Sequence, residues 1–233
     1  MTRSRRFPAI DSARLIRWYD AQARIYRLWR NDFDSPLLDE VTASLLDEGA
    51  PRRLLDAGCG TGLLAVGLAR RLPDTLIEGV DASRGMIRVA RKEAQRHGVE
   101  VEFHCGDVTA LTFPDARFDT LVVGGLFPNL EDPGSALREM YRVLTRRGRL
   151  IVVEFDRSSM RWPTRFFFRV MILGYRIVSG IFRRFRFADQ WNLETSTVDR
   201  PALEAEIRAA GFEIVRVDEA HQHLFFLAKR GPA

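Results

Sequence analysis

Three acids in the sequence sit where they could hold a nucleoside. Asp56 closes a short apolar run, Leu54-Leu55, and leads into Ala57-Gly58-Cys59-Gly60-Thr61-Gly62. Asp81 closes a second run, Leu76 to Val80, 19 residues beyond Gly62. Asp107 follows a third run in His104-Cys105-Gly106-Asp107-Val108. Glycines where a strand meets a helix let backbone N–H groups approach a ligand at the positive helix end. An acid ending the next strand can accept both hydroxyls of a ribose. Asp107 could take an adenine amino group while Val108 offers its N–H. Each feature also has a plain structural use. The loop could be a tight turn, Asp107 an exposed turn residue, and Asp81 a helix cap, although Ser83 is better placed to cap. Together, three acids at the carboxyl ends of successive strands mark the edge where open α/β sheets bind ligands. A dinucleotide fingerprint, G-x-G-x-x-G, would need glycine where Leu63 stands, and Gly62 comes one residue early. The spacing fits a nucleoside without phosphates better.

The elements that must position these acids are legible from periodicity. Helical patterns cover Asp11 to Asn31, with Trp18, Tyr19, Tyr26 and Trp29, and then Leu37 to Leu46 after Ser35-Pro36. Strand-like runs at 53–56, 76–80, 99–104, 118–123 and 150–155 alternate with helical runs at 63–72, 83–97 and 134–144. Ser83 caps the helix that stops at Gly98. Such alternation predicts a doubly wound, mostly parallel sheet with helices on both faces. A helix at 201–210 stops at Gly211, and runs at 212–217 and 221–228 predict an antiparallel hairpin at the sheet edge. One domain is expected: a helical cap (1–50), a ligand-binding core (51–156), a basic insert (157–199), and a last helix with the hairpin (200–233).

Composition narrows the function. With 46% hydrophobic and 29% charged residues, the chain can bury a core and is not disordered. Cys59 and Cys105 are too few for a disulfide framework, and no metal-ligand spacing is present. No stretch of about 18 apolar residues appears, and the basic start, Met1 to Ile10, has no apolar run behind it. The expectation is a cytoplasmic protein that could sit peripherally on the inner face of a membrane.

The net charge of +5 is unevenly placed. Between Arg157 and Arg186 there are eight arginines and no acid, so the rest of the chain sums to −3. On a helical wheel seven of these arginines fall within about 120° of one another, opposite Phe166, Phe167, Ile177, Ile181 and Phe182. Phe168, Ile172 and Tyr175 interrupt the polar face, and Gly174 and Gly180 suggest a bend. A basic amphipathic helix of this kind suits an anionic membrane surface. The plainer use is a lid with solvated arginines. Lysine is scarce and no nucleic-acid motif is present, so no nucleic-acid partner is expected.

With these residues in view, the chain resembles the class I S-adenosylmethionine-dependent methyltransferases. Leu54 to Gly62 looks like their first motif, and Gly79-Val80-Asp81-Ala82-Ser83 with Met86 like the second. Gly106-Asp107-Val108 through Phe118-Asp119 looks like the third. Likeness is closest to the ubiquinone/menaquinone C-methyltransferase group, through Tyr19-Asp20 with Tyr26, Ala136 to Leu144, and Val153-Glu154-Phe155. It covers roughly Ile16 to Phe155 well and Pro201 to Ala228 loosely. The chain departs from the group at Arg27 and at Arg146-Arg147-Gly148, where the group has Asp and a Pro-Gly-Gly turn.

The resemblance implies a seven-stranded Rossmann-like sheet, S-adenosylmethionine as cofactor, and a small-molecule or lipid acceptor. It implies a cofactor site of Tyr19, Asp56, Ala57, Gly58, Cys59, Gly60, Gly62, Asp81, Ala82, Met86, Asp107, Val108 and Gly124. Within that set the glycines lie near the methionine end, Asp56 holds the ammonium, and Tyr19 closes over the cofactor. A lipophilic acceptor is expected, such as a quinone precursor or lipid head group. Alternatives are a soluble metabolite, or a non-catalytic membrane- or partner-binding protein that keeps the fold. A nicotinamide oxidoreductase is disfavoured by Leu63. His104, His221 and His223 are the candidate bases. His104 reads as structural and the other two as edge-strand surface residues, so no catalytic residue is assigned. Both cysteines read as small packing residues.

Overall fold

The computed structural model describes residues 12–30, 36–155, 198–220 and 223–231. The expected basic helix between Arg157 and Phe187 and the candidate base His221 lie outside the described residues. The elements are α1 (Ser12–Arg30), α2 (Pro36–Asp47), β1 (Arg53–Ala57), α3 (Leu63–Arg71), β2 (Leu76–Asp81) and α4 (Arg84–His97). They continue with β3 (Glu102–Cys105), β4 (Phe118–Gly124), α5 (Pro133–Val143), β5 (Leu144–Phe155), α6 (Arg200–Ala209), β6 (Phe212–Ala220) and β7 (His223–Arg230). The strands form one sheet in the order β3-β2-β1-β4-β5-β7-β6. β1 to β5 pair in parallel, and β7 runs antiparallel to both β5 and β6. Strand order reverses between β1 and β4, so a crevice opens at their carboxyl ends.

Side-chain alternation explains why helices cover both faces. In β1, Leu55 and Ala57 enter one core with Leu121, Val123 and Met140, while Leu54 enters another with Val122, Leu38 and Leu68. Successive strand residues point to opposite faces, so each strand supplies both cores and must be apolar throughout its middle. α5 and α6 cover the first face, and α2, α3 and α4 the second.

The capping residues act as expected. Ser83 Oγ accepts the Met86 N–H at 3.1 Å, and Gly98 ends α4 with φ +64°. Because the Val99 N–H still donates to Ala94 O, the chain is closing the helix there, and β3 begins at Glu102 rather than Val99. β5 begins at Leu144, six residues before the expected start, because Leu144 pairs with Phe118 before a register shift. Arg146-Arg147-Gly148 lies in that irregular stretch. A Cβ at Gly148 would come within 2.8 Å of Leu144 Cδ2. The stretch is at the amino end of β5, at the sheet edge remote from the crevice.

Polar groups help tie α1 to the start of α4. The Asp20 carboxylate on α1 accepts the Ser83 hydroxyl and the Gly85 N–H, both at 2.6 Å. A Cβ at Gly85 would lie 2.7 Å from Asp20 O, so only glycine allows this approach. Burial opposes ionisation of Asp20, but these bonds, with Arg88 and Arg84 nearby, outweigh it and hold its pKa below the ordinary value.

Candidate active site

A cavity of about 490 Å³ lies along the carboxyl edge of the sheet, within the ~300–1,000 Å³ typical of small-molecule sites. Its lining follows strand order: Asp107 and Val108 after β3, Asp81 at β2, Asp56 and Gly58 at β1, Gly124 at β4, Val153 at β5 and His223 at β7. Tyr19, Cys59, Gly60, Ala82 and Met86 also line it. Of the site expected from the sequence, only Ala57 and Gly62 do not. Ala57 points into the core by strand alternation. A Cβ on Gly62 would meet Ala90 and Phe103 at 3.1 and 3.2 Å, so this glycine lets α3 close on α4 and β3.

The glycine loop works differently from the expectation. Gly58 and Cys59 N–H both donate to Val80 O, at 2.8 and 3.0 Å, and Gly62 N–H to Cys59 O at 2.9 Å. Gly60 N–H donates to Asp81 Oδ2 at 2.9 Å. These four groups are spent inside the protein, which suits a ligand that brings no phosphate to this loop. Glycine matters for shape instead. Gly58, Gly60 and Gly62 have φ of +77°, +54° and +84°, which side chains disfavour. A Cβ at Gly60 would meet no protein atom within 4 Å, so it would project into open space beside the cavity.

The acids are buried to different depths. Asp56, 1% exposed, accepts the Ala65 N–H at 3.0 Å. Burial, with Asp81 nearby, raises its pKa to about 7 despite that bond. Asp81 accepts Ser83 N–H at 2.8 Å besides Gly60 N–H, and burial raises its pKa too. Asp107 Oδ1 accepts both the N–H and hydroxyl of Thr109, at 2.9 and 2.8 Å. Burying an unpaired carboxylate is costly. A cationic ligand would relieve that cost at Asp56, and ribose hydroxyls could still bond Asp81, since a carboxylate has about four acceptor positions.

Several positioning residues gave little signal in the sequence. Tyr19 O–H donates to Asn129 Oδ1 at 3.3 Å, and Asn129 Nδ2 to Gly125 O at 2.9 Å. Ser12 Oγ donates to Glu131 Oε2 at 3.4 Å. With Asp20, these bonds tie α1 to both sides of the cavity. Buried Glu154 Oε1 accepts Leu126 and Phe127 N–H at 2.8 and 2.9 Å and fixes the chain after β4. Arg142 donates to the carbonyls of Leu111 and Phe113, both at 2.8 Å, while Glu139 accepts Leu111 N–H at 2.8 Å. This pair holds the segment behind Asp107 and Val108. Glu139 and Asp115, bonded to Arg142, push its pKa further up. Only Tyr19-Asp20 and the Glu139, Arg142 and Glu154 runs carried a signal, through family likeness.

The histidines divide. His104 Nε2 lies 3.0 Å from Glu78 Oε2, and its ring meets Phe113 edge-on, outside the cavity lining. His223, read from the sequence as a surface residue, lines the cavity. Among the described residues, Glu78, Glu102 and His104 form a group with metal-ligand spacing. Arg117 already holds Glu78 there, at 2.6 and 3.0 Å, and supplies the positive charge. Cys59 is buried, and burial raises its thiol pKa, so it is an inert packing group.

The sheet order and this edge site define a nucleoside-binding class I methyltransferase fold, and comparisons with known proteins narrow it. Residues 54–148 match the family model described as a methyltransferase domain. A demethylmenaquinone methyltransferase of Thermus thermophilus is 37% identical over 171 residues, covering 72% of this chain and 77% of that protein. A ubiquinone biosynthesis O-methyltransferase of Alkalilimnicola ehrlichii is 32% identical over 192 residues, covering 82% and 73%. Among solved structures, a magnesium protoporphyrin IX methyltransferase from Synechocystis with bound SAH has a TM-score of 0.68 at 19% identity, covering 95% of this chain and 100% of that one. The [4+2]-cyclase SpnF has a TM-score of 0.72 at 21% identity, covering 97% and 99%. Those two likenesses establish the fold alone. The chain belongs to the class I S-adenosylmethionine-dependent methyltransferases, in the ubiquinone/menaquinone methyltransferase group. It is an enzyme that uses S-adenosylmethionine.

Proposed function

We infer that the enzyme methylates a lipophilic hydroxylated ring, a quinone precursor in its reduced form, and that it works at an anionic membrane surface. The cofactor supplies a methyl group on a sulfonium, already a strong leaving group, so the protein's task is alignment and exclusion of water. Asp81 would take the ribose hydroxyls and Asp107 with Val108 the adenine. Asp56 would face the ammonium, with Gly60 leaving room beside it and Tyr19 closing from α1.

One observation carries the acceptor class: the polarity of the cavity changes along its length. The acids of β1, β2 and β3 line one half, and Leu37, Leu64 and Val153 form an apolar strip toward β5, with Glu131 and Asp132 on the segment leading into α5. An acceptor held there meets an apolar wall. The names of the relatives support a quinone precursor, and the basic run from Arg157 to Arg186 supports a membrane surface. The test is tritium transfer from labelled S-adenosylmethionine to demethylmenaquinol and, separately, to a polar metabolite extract. Label in the quinol fraction is expected, and product analysis assigns the methylated atom. Label confined to polar metabolites would overturn this reading. For the membrane, the protein should sediment with vesicles containing anionic lipid and less as salt rises. Replacing Arg161, Arg165, Arg169 and Arg176 with Gln should remove most of that binding. Equal binding to neutral vesicles would defeat the electrostatic part.

A further inference from the structure

The end of the cavity toward β7 carries an imidazole, that of His223. Strand order puts the start of β7 beside the end of β5, so His223 lies at the opposite end of the lining from Asp107. His223 pairs in register with Phe155 on β5 and Ala220 on β6. Alternation puts its side chain on the sheet face of Phe225 and Leu227, whose core also contains Leu64 and Val153. Between β4 and α5 the lining also holds Glu131, whose Oε2 accepts the Ser12 hydroxyl, and Asp132, which caps α5; His223 is the imidazole of the described lining. Glu154 Oε1 accepts the Leu126 and Phe127 N–H groups, and Glu219 pairs with Arg200 at 2.8 Å. Asp56, Asp81 and Asp107 line the cofactor half, and Tyr19 is bonded to Asn129.

We propose that His223 is the general base for the acceptor, taking the proton of the hydroxyl adjacent to the methylated ring carbon. This rests on the function inferred above. The hydroxyl proton passes to an imidazole nitrogen, and the oxygen's electron pair is delocalised onto the ring carbon. That carbon forms a bond to the methyl group as the methyl–sulfur bond breaks, its pair staying on sulfur. The ring carbon then loses its own proton to water, aromaticity returns, and the imidazolium gives its proton back to the oxygen. One proton is released per turnover, and no oxidant or reductant is required. An apolar wall with an imidazole beside it also selects its acceptor: a hydroxylated ring gains from the base, while a neutral hydrocarbon ring gains nothing.

The test uses the full chain with labelled S-adenosylmethionine and demethylmenaquinol in mixed vesicles. His223→Gln and His223→Ala should lower kcat by about 100-fold or more, with cofactor affinity by calorimetry within about twofold of wild type. The rise of kcat with pH through the imidazole range should disappear in both variants. Added imidazole should restore part of the rate in His223→Ala, which a purely structural role would not produce. A His223→Gln enzyme that binds cofactor normally, keeps more than half its kcat and keeps the same pH limb would overturn the proposal. If one variant fails to bind cofactor, the other decides. If wild-type enzyme binds cofactor but methylates no quinol, the inferred acceptor falls and this proposal with it.

Discussion

The two halves of the cavity are built on different principles. In the cofactor half, acids and glycines sit at strand ends and most of their polar groups are spent on backbone. Gly60 N–H, Ser83 N–H and Ala65 N–H all go to Asp81 or Asp56. Toward β5 and β7, Leu37, Leu64 and Val153 form an apolar strip beside His223, with Glu131 and Asp132 on the segment leading into α5. The first half is therefore the more rigid, because Asp81 and Asp107 each accept two bonds and Asp56 accepts the Ala65 N–H.

The largest expected effect is in the rigid half. Gly60→Val should abolish cofactor binding by calorimetry while circular dichroism shows the fold kept, since the added side chain strains a φ of +54° and projects into open space. Global unfolding instead would make the loop a folding element first. Gly60→Asn, which tolerates this backbone region better, should retain more binding than the valine variant.

Asp81→Ala should weaken cofactor binding by about 1.5–3 kcal/mol, the range for hydrogen bonds to a charged group. It should also lower the melting temperature, because Gly60 N–H and Ser83 N–H lose their acceptor. Unchanged affinity, or tight binding of NAD by the wild type, would contradict the assignment of Asp81 to a ribose of this cofactor.

A smaller effect separates the halves by pH. Asp56, with a folded pKa of about 7, binds a proton that the unfolded chain has already lost above the ordinary carboxylate range. Stability of the free enzyme should therefore fall as pH rises from about 4 toward 7. A cationic cofactor favours the ionised form, so its affinity should rise in the same window, at most about tenfold per unit, and level off above about 7. Asp56→Asn should flatten both trends. An affinity independent of pH below 7 would remove Asp56 from contact with the ammonium.

The smallest effect concerns the helix over both halves. Asp20→Ala removes the acceptor of Ser83 Oγ–H and Gly85 N–H and should cost about 0.5–2 kcal/mol of stability, the range for lost caps. Amide exchange in α1 should rise more than exchange in β1 or β4. Equal protection throughout would mean that apolar packing, including Tyr19 against Met86 and Val89, holds the helix alone.

The fold and the row of acids at the strand ends were legible because they obey local rules. Alternating apolar runs, a glycine-rich turn and an acid after each of three strands are statements about nearest neighbours, and sheet topology turns them into one edge. The order β3-β2-β1-β4-β5 follows from right-handed crossovers and a reversal at the crevice. Other features depend on contacts between residues far apart in the chain. Nothing near Asp20 announces that it caps α4, 63 residues away. No pattern around Gly62 says that it meets Phe103 rather than ligand. Gly60 N–H turns to Asp81 because the loop folds over the second strand. His223 looks like an alternating edge-strand residue until β7 inserts between β5 and β6, which brings its first residue to the cavity. Periodicity determines which face a residue takes within its own element. Only the packing of elements decides what that face meets, and a hydrogen bond across the fold leaves no spacing for the sequence to display.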